Sequence, residues 1–75
     1  MRDSNEIEAL KASYRGALGT AAALAALEDK VLTLDPRGEI PGEDLDELGR
    51  VTLAHAVSSQ ALRGLIESLR ARRMA

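Results

Sequence analysis

The sequence predicts an all-α fold: an antiparallel two-helix hairpin that dimerises into a helical bundle. Three observations predict it. Leu45, Leu48, Thr52, His55, Ser59, Leu62, Ile66 and Leu69 recur at three- and four-residue spacing, which puts them on one stripe of one helix. Ile7, Leu10, Tyr14, Ala17, Ala21 and Leu24 do the same upstream. A single breaker cluster separates them, Asp35-Pro36-Arg37-Gly38-Glu39-Ile40-Pro41-Gly42.

The first helix is expected over about 4–34, where Ala- and Leu-rich sequence has high helix propensity. Asp3 with Glu6 three residues on has the form of a capping box with Asp in place of Ser or Thr. Pro36 disfavours helical geometry at Asp35 and lacks an N–H, so the helix stops near Leu34. The loop covers about 35–41. Its shortness requires the two helices to lie side by side and antiparallel. The second helix is expected over about 42–72. Pro is tolerated in a first turn, and Glu43 and Asp44 suit the positive end of the helix dipole. The whole chain, 1–75, reads as one domain. Folding it about the loop places His55 opposite Ala21–Ala22 and Tyr14 near Arg63.

Composition narrows the function classes. The chain has 75 residues, 45% of them hydrophobic, a formal net charge of -2 and no cysteine. Tyr14 is its only aromatic residue. A core of small aliphatic side chains in so short a chain is weak unless something supports it. Without cysteine, neither disulfides nor thiolate metal sites supply that support. Self-association or a protein partner remains. Acids gather at Asp35, Glu39, Glu43, Asp44, Asp46 and Glu47, and cations at Arg63, Arg70, Arg72 and Arg73. This matches the dipole of the second helix and gives its far end a basic rim. A slightly acidic chain with no base-stacking aromatic pairs is not expected to bind nucleic acid directly. The polar N-terminus is unlike a signal peptide and no apolar run is long enough for a membrane, so a cytoplasmic location is expected.

Two further features point to an interface. Ala12, Gly16, Gly19, Ala23 and Ala26 form a stripe of small residues on the first helix. Each interior Gly costs roughly 1 kcal/mol relative to Ala, and close approach of another helix would account for two of them. Leu53 and Val57 project from the second helix opposite Leu48, Leu62 and Leu69. Gly16, Gly19, Ala23, Leu53 and Val57 are therefore the expected oligomer-interface residues.

No catalytic, cofactor-binding or metal residues are expected. His55 is the sole histidine, and a hydrogen-bonded structural role on the apolar stripe suits it better than a ligand or base. Ser58 and Ser59 lack a nucleophile elbow and read as small polar filler. The loop fails as an EF-hand, because Arg37 and Ile40 stand at the third and sixth positions. The chain reads as an interaction module and not an enzyme.

The segment His55-Ala56-Val57-Ser58-Ser59-Gln60-Ala61-Leu62-Arg63-Gly64-Leu65-Ile66-Glu67-Ser68-Leu69 resembles the C-terminal helix of TraM-type quorum-sensing antiactivators. His55, Ala56, Ser59 and Leu65 match in register, and the final leucines match with a one-residue slip. The resemblance implies a small helical protein that binds a LuxR-type transcription activator and keeps it from DNA. On this reading Leu62, Leu65, Ile66 and Leu69 anchor the partner, and Arg63, Arg70 and Arg73 steer it. The run Ala61-Leu62-Arg63-Gly64-Leu65-Ile66 is also similar to the end of some type III secretion needle subunits. The alternative is therefore a needle subunit or its small co-chaperone.

Overall fold

The computed structural model describes the backbone of residues 2–74 and the side chains of residues 5–73. The described residues are all-helical, with no strand. Helix α1 spans Arg2–Ala25, α2 spans Glu28–Leu32 and α3 spans Gly42–Met74. No helix among the described residues is long and apolar enough to cross a membrane.

The first helical segment is shorter than expected, because the helix breaks at Ala26–Leu27. Ala26 N–H still donates to the carbonyl of Ala22, at 2.9 Å. The next donor, Leu27 N–H, reaches only three residues back, to the carbonyl of Leu24 at 3.1 Å. Leu27 takes φ -91° and ψ 0°, sparsely used geometry found at the second corner of tight turns. The local twist turns its side chain inward, where it is 8% exposed. There is no Pro or Gly at the break, which coincides with the most enclosed side chain among the described residues. Helix α2 restarts at once and ends where the Thr33 N–H and Oγ1 both donate to the Asp29 carbonyl, at 3.0 and 2.6 Å.

The loop follows from its residues. Asp35 Oδ1 accepts from the Arg37 N–H at 2.9 Å, and the Asp35 carbonyl accepts from the Gly38 N–H at 3.0 Å. This is the self-hydrogen-bonded turn that Asp favours. The Pro41 carbonyl then accepts from the N–H groups of Asp44 and Leu45, at 3.0 and 3.2 Å, and starts α3.

Helix α1 packs along α3. Cross-helix contacts join Glu6 to Arg72, Thr20 to His55 and Lys30 to Glu47. Early residues of one segment thus meet late residues of the other. The expected capping box is not described at Asp3, whose side chain lies outside the described residues. Glu6 is engaged with Arg72. The molecule measures 56 × 18 × 16 Å, close to the length of α3 itself at about 1.5 Å per residue.

The seam is more polar than the sequence stripes suggested. Half-buried residues run Glu6, Leu10, Ser13, Ala17, Thr20, Ala21 and Leu24 on α1. On α3 they run Asp44, Leu48, Val51, His55, Ser58, Leu62, Leu65 and Leu69, with Glu47 and Ser59 beside them. Ile7, Tyr14, Leu45, Thr52 and Ile66, placed on the stripes from sequence, are exposed. Leu27 is the only buried hydrophobic residue among those described.

Candidate interaction surface

Polar residues occupy the middle of the seam. Helical spacing brings Thr20 of α1 level with His55 and Ser58 of α3. Thr20 Oγ1 lies 2.9 Å from His55 Nδ1 and 2.5 Å from Ser58 Oγ. Ser59 Oγ lies 3.3 Å from His55 Nε2, one turn along the same helix. Both ring nitrogens therefore face hydroxyls. A hydroxyl donates one proton and accepts others. Thr20 can give its proton to the Ala17 carbonyl at 3.1 Å, accept from the ring and from Ser58, and leave no group unmatched. No buried side-chain N or O among the described residues lacks a partner.

This arrangement can pin a register. Polar groups in an otherwise aliphatic seam lose their partners if one helix slides by a turn, and that loss penalises wrong alignments. His55 sits opposite Thr20, one residue from the expected Ala21–Ala22. Ser58 and Ser59 are partners of this cluster and not mere filler. Thr20 was not singled out from sequence, although its spacing from Ala17 and Leu24 is that of a seam residue.

Near the loop, Lys30 Nζ lies 2.9 Å from Glu47 Oε1 and 3.6 Å from Asp44 Oδ1. The hydrogen bond to Glu47 is the main cause that raises Lys30 above its ordinary pKa, with the two carboxylate charges adding to it. The same hydrogen bond holds the Glu47 carboxyl below its ordinary value, assisted by the charge of Lys30 and, more weakly, of Arg50. The depressed group contributes stability above the unfolded carboxylate range and loses it as pH falls through its lowered value. The raised Lys30 contributes below its unfolded value and loses that contribution as pH rises through the raised one. Glu47→Gln is therefore expected to melt below the wild type at about pH 7 and level with it at about pH 3. Thermal melts at both pH values check this, and a gap that persists in acid contradicts it.

Lys30, Glu43, Asp44, Asp46, Glu47 and Arg50 line an open depression of about 470 Å³. His55 does not line it. No group of three or more His, Asp or Glu placed to hold a metal occurs among the described residues.

The expected interface residues distribute as follows. Gly16, Gly19 and Ala23 are exposed on α1, and a Cβ added at either glycine would meet nothing within 4 Å. Within the chain, then, α3 does not approach this stripe. Leu53 and Val57 stand out from α3, 65% and 63% exposed. Of the expected partner anchors, Leu62, Leu65 and Leu69 are half-buried toward α1. Ile66, Arg63, Arg70 and Arg73 are exposed. Leu62, Leu65 and Leu69 are thus committed to the seam, while Ile66 and the arginines are free to contact another molecule. Ile7, Tyr14 and Leu18, each more than half exposed, form an apolar surface that was placed on the buried stripe or passed over from sequence. Comparison with known proteins gives no relative: no protein-family model, no curated protein and no solved structure matches the chain.

Proposed function

We propose that the chain is a non-catalytic interaction module: an antiparallel helical hairpin that self-associates and sequesters a LuxR-type transcription activator. The observation that carries the interaction reading is the imbalance of burial. Only Leu27 is buried among the described hydrophobic residues, while Ile7, Tyr14, Leu18, Leu53 and Val57 are all more than half exposed. Scattered exposed apolar residues are ordinary. So many on so small a molecule, beside a polar seam, favour a surface that is covered in use. The choice of activator as partner rests on the resemblance of residues 55–69 to the antiactivator helix.

The activator is proposed to dock on the outer face of α3. Leu53 and Val57 lie one turn apart there, and Arg63 stands at the edge, where a charge mainly alters association rate. Leu62, Leu65 and Leu69 support this face from behind by holding α3 on α1. Overexpression in the native host is expected to lower LuxR-dependent reporter output. Leu53→Asp is expected to abolish that effect with its circular dichroism unchanged, because it places a charge in an apolar contact. Wild-type protein that neither binds host LuxR-type regulators nor lowers the reporter rules the activator reading out. Polymerisation on concentration would then favour the secretion-subunit alternative.

A further inference from the structure

On both helices the apolar arc runs past the seam onto one flank. Glu6, Ser13 and Thr20 of α1 and Asp44 and Ser58 of α3 are polar residues in the seam. The residues that follow several of them are apolar and exposed: Ile7 at 52%, Tyr14 at 54%, Leu45 at 51%. Ile66 follows the seam residue Leu65 in the same way, and Leu18 lies one turn beyond Tyr14. At about 100° per residue, each stands roughly a quarter turn from the seam. In an antiparallel pair, positions offset in this sense on both helices open on the same side. The pairings of Glu6 with Arg72 and Thr20 with His55 put Ile66 level with Lys11, between Ile7 and Tyr14. Ile7, Tyr14, Leu18 and Ile66 therefore close into one patch. A helix that faces two neighbours needs an arc of this width, and a helix that faces one does not.

We infer that a second copy of this chain covers this side, with the two loops at opposite ends of a four-helix bundle. This deepens the interaction-module reading and rests on its self-associating half. Two observations choose the occupant. The chain exposes 6175 Å², against about 4,450 Å² for a compact folded protein of its mass. Hiding the excess of about 1,700 Å² on each of two copies buries about 3,400 Å² in total, the size of an obligate homodimer interface. The chain also carries both halves of a charge complement. Asp35, Glu39 and Glu43 outnumber Arg37 at the loop end, and Arg63, Arg70 and Arg73 outnumber Glu67 along the last turns of α3. Loops at opposite ends bring each acidic end to the partner's basic end. Loops at the same end stack acid on acid and arginine on arginine. The two-fold axis then crosses near Leu18 and Ala21, where a large side chain meets a small one.

The test uses the full chain alone, so its failure is separate from failure of the activator reading. Sedimentation equilibrium at tens of micromolar is expected to give a dimer. Tyr14→Glu and Ile66→Glu are expected to weaken dimerisation at least tenfold with helicity retained at high concentration, while Ala23→Glu on the small-residue stripe leaves it intact. The chain has no cysteine, so Glu39→Cys takes a single spin label in the loop. Label separations above about 40 Å are expected, given the 56 Å length of the molecule. A stable wild-type monomer, dissociation by Ala23→Glu but not by Ile66→Glu, or separations under about 20 Å would each overturn the inference.

Discussion

Leu27→Ala is expected to lower stability by about 2–3 kcal/mol, the lower part of the range for truncating a buried leucine. Among the described residues, Leu27 is the one that the chain encloses, at 8% exposure. It also sits at the break in the first helix. Alanine removes most of the apolar surface that is enclosed at the break. Part of the cost returns as helix propensity, since alanine at Leu27 lets α1 run straight into α2. That refund is a few tenths of a kcal/mol and does not change the sign. For so small a core the loss is a large fraction of the total. Urea denaturation followed by circular dichroism measures it, with Leu27→Met as the volume-conserving control. A loss below about 1 kcal/mol would show that Leu27 is not the anchor of this end.

The opposite sign is expected at Gly16 and Gly19. Both lie inside α1, and a Cβ at either would meet nothing within 4 Å. Neither has a positive φ. Alanine therefore adds no clash and removes backbone freedom from the unfolded chain. Each substitution is expected to stabilise by up to about 1 kcal/mol. The double variant should raise Tm by roughly 5–10 °C in a chain of this size. Thermal melts check the number. A fall in Tm would mean that another molecule packs against this stripe closely enough to exclude a methyl group, and would return the glycines to the interface role their spacing suggested.

The helical class, the position of the loop and the start of α3 were legible because each has a local cause. Pro36, Asp35 and Pro41 stop and restart the helix by chemistry that acts over a few residues. The seam was only half legible. Leu10, Ala17, Ala21, Leu24, Leu48, His55, Ser59, Leu62 and Leu69 were placed on it correctly. The alternate positions were assigned to Ile7, Tyr14, Leu45, Thr52 and Ile66, which the structure leaves exposed. The seam holds Glu6, Ser13, Asp44, Val51 and Leu65 instead, and adds Thr20 and Ser58. Apolar periodicity reports where a helix is greasy, and here the greasy arc is wider than the part its neighbour covers. The break at Leu27 has no local signal either, since neither Pro, Gly nor a capping residue marks it. Thr20 and Ser58 look ordinary in sequence and gain meaning only when His55 is brought across to them.

The order of the three cross-helix ties has a consequence for how the chain closes. Lys30 and Glu47 are separated by 17 residues, Thr20 and His55 by 35, and Glu6 and Arg72 by 66. Joining the outermost pair first would cost about 1.2 kcal/mol more in loop-closure entropy than joining the innermost. The chain is therefore expected to zip from the loop outward, each tie shortening the search for the next. Thr20 meets His55 at the midpoint, where the mutual fit of their side chains selects the register before the last turns engage. Opening runs the other way, so the arginine-bearing end peels first and its amides exchange with solvent soonest, while those beside Leu27 exchange last.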